Sequence, residues 1–83
     1  MNQNANPDES SREKAMRLET ELAALATELE ACKEQIRTLT LAERPREGLI
    51  YAQELHQARQ NKMRIETEML IRRNQLRGLT PLQ

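Results

Sequence analysis

From Ala15 to Leu39 the chain sets an apolar or small residue at alternating intervals of three and four: Ala15, Leu18, Leu22, Leu25, Leu29, Cys32, Ile36 and Leu39. With Leu22 at heptad position a, these residues fill every a and d position in turn. An α-helix turns by about 100° per residue, so this spacing draws one unbroken stripe along a single side of a helix. Neither Gly nor Pro interrupts residues 8–44, and the intervening positions are mostly Glu, Ala, Thr, Lys and Arg. The pattern is a coiled-coil seam, and such a seam needs a second helix to cover it.

Two helix starts compete ahead of the seam. Asn6-Pro7-Asp8-Glu9 offers an Asn cap with Pro at the first helical position, and Ser10-Ser11-Arg12-Glu13 offers a capping box. Residues 1–6 read as a disordered tail. The first helix is expected over about residues 8–42 and a turn over about 43–47, because Pro45 cannot donate to a continuing ladder and disfavours helical geometry at Arg44. A kink inside one long helix is the alternative, but Gly48 and a change in charge fall at the same place. A second helix then runs over about 46–77, with Pro45 at its first position. Gly78 is expected just past its end and 79–83 as a tail, so that residues 7–78 form one helical hairpin.

The second helix is less regular. Tyr51, Leu55, Ala58, Ile65, Met69 and Leu76 share one face, but Lys62 and Arg72 fall within it. Ala52, His56, Met63 and Leu70 form a shorter ridge to one side, and Leu49, Ile50 and Ile71 add apolar surface. Folding back as an antiparallel neighbour pairs Ile36 with Leu55, Cys32 with Ala58, Leu25 with Ile65, Leu22 with Met69 and Ala15 with Leu76. Leu29 then faces Lys62, whose ammonium is expected to reach Glu28 or Glu30, and Leu18 faces Arg72, with Glu19 or Glu21 as its partner. The intrachain seam is thus assigned to Leu18, Leu22, Leu25, Leu29, Cys32, Ile36, Leu39, Leu55, Ala58, Ile65, Met69 and Leu76.

The chain has 83 residues with 13 basic and 13 acidic side chains, so it carries no net charge to draw a polyanion. The distribution is uneven: residues 1–44 carry nine acids and six bases, and residues 45–83 four acids and seven bases. Halves of opposite sign suit a chain that folds on itself or pairs with another. One Cys rules out an internal disulfide and fits a reducing compartment, with Cys32 serving as a small core residue. The polar N-terminus lacks the apolar core of a signal peptide, and no run of about 18 apolar residues could span a bilayer. The expected setting is cytoplasmic.

Chemistry is sparse. His56 is the only histidine, Gln53 rather than Glu stands three residues before it, and Tyr51 is the only aromatic residue. No metal site, cofactor, catalytic group or small-molecule pocket is therefore expected. Cys32 lies on the seam and His56 off it, so the two are not expected to act as a nucleophile pair. The fold expected is all-α: a long antiparallel helical hairpin, coiled-coil-like, completed into a bundle by a second copy or a partner. The function expected is non-enzymatic: a protein-interaction module such as a small adaptor, assembly factor or secretion-type chaperone. Its partner-binding residues are Ile50, Ala52, His56, Met63, Leu70 and Ile71. The alternative is a small RNA- or DNA-binding hairpin dimer using Arg59, Arg64, Arg72, Arg73 and Arg77. The interleaved Glu66 and Glu68 and the acidic first helix weigh against it.

Overall fold

A computed structural model describes residues 9–79. The expected N-terminal tail, the Asn6-Pro7 helix start and most of the C-terminal tail lie outside the described residues. Two helices, α1 (Ser11–Ala42) and α2 (Ala52–Leu79), pack antiparallel as an extended hairpin.

α1 begins at the capping box. The Glu13 backbone N–H donates to Ser10 Oγ at 3.1 Å, and the Ser10 N–H donates back to Glu13 Oε1 at 2.8 Å. Two of the amides that a helix start leaves without partners are satisfied this way. At the other end the Arg44 guanidinium donates to the carbonyls of Leu41 and Glu43, covering acceptors at the negative end of the helix dipole.

The connection is longer than the sequence suggests. Pro45–Glu47 form a single 3-10 turn with Pro at its head, where a missing N–H costs nothing. Gly48 follows in the left-handed region at φ 77°, which turns the chain out of any helical path. Arg44 and Leu49 then exchange two backbone hydrogen bonds, of 2.7 and 2.9 Å, closing the turn. The second helix therefore starts at Ala52 and not near Arg46, and Pro45 heads the turn and not the helix. Glu43 bridges the gap: its carboxylate accepts the Tyr51 N–H at 3.0 Å, just before the first turn of α2. At its far end α2 continues through Gly78 to Leu79, so Gly78 does not stop the helix.

Leu18, Leu25 and Cys32 of α1 and Leu55, Ala58, Ile65 and Met69 of α2 are the buried residues between the helices. Leu25, Cys32, Ile65 and Met69 form one contiguous cluster, with Leu22, Ala26, Leu29 and Ile36 packed against it. Leu39 and Leu76 are half-buried. The core is one side chain thick, and no described polar side chain is buried within it. The radius of gyration is 18.3 Å, where a compact domain of this length has about 12 Å. The hairpin is a rod, and much of the circumference of each helix faces solvent.

Candidate interaction surface

In two antiparallel helices, residues rotated in the same sense from the seam emerge on the same side of the pair. The hairpin therefore has two flanks, and their chemistry differs.

One flank is closed by charge. Arg72 Nε donates to Glu21 Oε1 at 3.0 Å across the helices, and Arg64 lies 3.9 Å from Glu28. Arg72 and Arg64 also pair with Glu68 on their own helix, and Arg17 joins Glu21 to Glu9. The Arg72 guanidinium holds the Glu21 carboxyl below the usual carboxylate range, and Arg17 does the same for Glu9. The Arg17 guanidinium is in turn pushed further up by the hydrogen bond to Glu9.

The other flank carries exposed apolar side chains interleaved with charge. Leu22, Ala26 and Leu29 of α1 stay half-buried there, at the edge of the core. On α2, Met63, 62% exposed, and Leu70, 54% exposed, stand further out, beyond the row of Arg59, Glu66 and Arg73. Ala52 and His56 continue this ridge toward the turn, and both are exposed. Lys62 lies between the helices on this flank, but it pairs at 3.3 Å with Glu66, one turn along α2, and not with Glu28 or Glu30. The nearer partner on its own helix wins, because no side chain has to extend across the seam. Glu30 pairs instead with Lys33.

The six residues read from the sequence as partner-binding do not make one patch. Ile50 sits in the turn and is exposed. Leu70 and Ile71 are neighbours in sequence, so they point about 100° apart, and Ile71 leaves the ridge for the outer side. Two exposed apolar residues of α1 escaped the sequence reading: Met16, and Leu41 at 70% exposure. Both lie off the a and d positions, so heptad reading passes over them. Leu41, Leu49 and Ile50 form a second exposed apolar group near the turn end.

The five arginines also divide. Arg72 and Arg64 are held in ion pairs on the charged flank. Arg59, Arg73 and Arg77 emerge on the same flank as Met63 and Leu70 and make no ion pair among the described residues, and the same is true of Glu19 on α1.

Among the described residues no three His, Cys, Asp or Glu side chains gather as a metal cage, and no described helix is long and apolar enough to cross a membrane. Two clefts along the charged flank, one lined by Gln35, Gln53, Glu54 and Gln57 and the other by Glu28, Ala31, Cys32, Gln35, Asn61 and Ile65, are open to solvent. Fold and surface together define an all-α antiparallel hairpin with many exposed apolar residues. Comparison with protein families, curated proteins and solved structures returned no match to the chain.

Proposed function

We propose that this chain is a non-enzymatic helical interaction module, of the adaptor, assembly-factor or secretion-type chaperone kind. It works by burying its apolar ridge against another helical surface. The observation that carries this reading is the joint exposure of Met63 and Leu70, one above the other on α2 with no cover from α1. An exposed apolar ridge of this kind is what a partner surface covers in helix-to-helix recognition. The setting in this reading is the cytoplasm, where the unpaired thiol of Cys32 stays reduced.

Replacing Met63 and Leu70 together with Glu tests it. The double variant should keep its helical far-UV spectrum and lose association with whatever the wild type binds. A wild type that sediments as a lone chain and cross-links to no protein in an extract of its source cell would end the reading. Arg59, Arg73 and Arg77 on the same flank support a second reading, as contacts to nucleic-acid phosphates. Steeply salt-dependent RNA or DNA binding, lost in an Arg59→Ala, Arg73→Ala variant, would favour it.

A further inference from the structure

We infer that the outward face of α2 takes an acidic amphipathic helix: a partner segment whose apolar row meets Met63 and Leu70, and whose Asp and Glu side chains meet Arg59 and Arg77. The inference rests on the interaction reading above and names the partner's chemistry.

α2 carries six bases and three acids, and they are sorted around its circumference. Glu66 pairs with Lys62, and Glu68 pairs with Arg64 and Arg72. Glu54, the third acid, falls near the bearing of the buried Ile65, on the side toward α1. The face turned away from α1 holds His56, Gln60, Met63, Thr67, Leu70 and Asn74, all exposed, and none of the three acids. Arg77 follows Arg59 by eighteen residues, which is about five helical turns, so the two share one bearing at the edge of this face. They bracket Met63 and Leu70 along about 27 Å of helix. Neither makes an ion pair among the described residues.

The face therefore has an apolar middle, a cation toward each end and no anion of its own. Carboxylates on a partner supply what the chain does not, and unlike charges favour that partner over neutral or basic ones. The same face of a second copy would bring two more arginines and no acid. A nucleic-acid backbone would satisfy the arginines but would lay phosphates over Met63 and Leu70, which cannot solvate them. A helix of about 18 residues spans the face. It needs apolar residues at spacings of three and four, with acids beside that row toward both ends.

Random peptides of about 20 residues, displayed and selected on the immobilised full chain, test this. The enriched sequences are then synthesised and titrated by fluorescence anisotropy. They should carry more Asp and Glu than Lys and Arg, with apolar residues at helical spacing. Arg59→Glu with Arg77→Glu should weaken their binding about 10-fold and leave the far-UV spectrum unchanged, since both side chains are exposed. Changing the acids of a peptide to Lys should reverse its preference, so that it binds the charge-reversed chain more tightly than the wild type. Enriched sequences that are neutral or basic, or that ignore the two arginines, overturn the inference. If such sequences still lose binding in Met63→Glu with Leu70→Glu, the interaction reading stands alone. No enriched sequence, or none that depends on Met63 and Leu70, defeats both. A wild type that self-associates through Met63 and Leu70, or that binds an RNA duplex more tightly than any peptide, overturns the acidic helix in favour of that occupant.

Discussion

The thiol of Cys32 donates to the backbone carbonyl of Ala58 at 3.1 Å, so a side chain of α1 rests directly on the main chain of α2. Both residues are buried, and both are small. The pairing lets the helices approach closely here and sets the level of every other contact along the rod.

That contact gives a test of register. Ala58→Leu forces a large side chain into the space filled by Cys32 and should destabilise the hairpin by about 1–3 kcal/mol. At about 4–8 °C per kcal/mol for a domain of this size, thermal unfolding followed by circular dichroism resolves the change easily. Cys32→Ala should cost less, because it removes only a sulfur atom and a weak donor. An Ala58→Leu melt matching wild type would show that the helices do not meet at this level.

Ile65 and Ile71 share a side chain and a helix but not an environment: Ile65 is 1% exposed and Ile71 is 50% exposed. Ile65→Ala should cost about 2–5 kcal/mol, through lost burial and a cavity in a core too thin to collapse around it. Ile71→Ala, on the outer side, should stay within about 0.5 kcal/mol. Leu25→Asp, an uncompensated charge in the core cluster, should abolish far-UV helicity. Equal effects from the two isoleucine changes would place the core elsewhere.

The acid limb of stability should report the ion pairs of the charged flank. Glu21 and Glu9 have carboxyls held below their usual range by Arg72 and Arg17. Such a group stabilises the fold fully above the unfolded-state value of about 4.3 and loses that contribution as pH drops through its lower folded value. Denaturant midpoints should therefore fall between about pH 5 and about pH 2, and Glu21→Gln should flatten the fall. Both side chains lie at the surface, so about 0.5 M salt should shrink the difference between the two proteins. An unchanged pH profile in Glu21→Gln would remove the Arg72 pair as a source of stability.

The two glycines should respond to alanine with opposite signs. A Cβ at either position meets open space, so only the backbone decides. Gly48 is left-handed, and Gly48→Ala should cost about 1–2 kcal/mol. Gly78 is helical, and Gly78→Ala should stabilise α2 by about 0.5 kcal/mol. Denaturant unfolding measures both, and a stabilising Gly48→Ala would mean that the turn is not closed as described.

The heptads from Ala15 to Leu39, the Ser10–Glu13 box and the break at Pro45 and Gly48 made the all-α hairpin legible in the amino-acid sequence alone. Those signals are local: a stripe, a cap and a breaker act within a few residues, and their geometry follows from helix periodicity. The start of α2 was not legible, because it depends on the Arg44–Leu49 backbone pair and on Glu43 reaching Tyr51, contacts that exist only once the chain has reversed. Nor was the choice of Glu66 by Lys62, or of Glu21 over Glu19 by Arg72, since competing carboxylates at similar spacing differ only in side-chain reach across a formed interface. The apolar ridge on α2 could be read from periodicity. Which flank it shares with Leu22 and Leu29, and that the opposite flank is sealed by charge, follows from the antiparallel register, and only the tertiary structure decides that register.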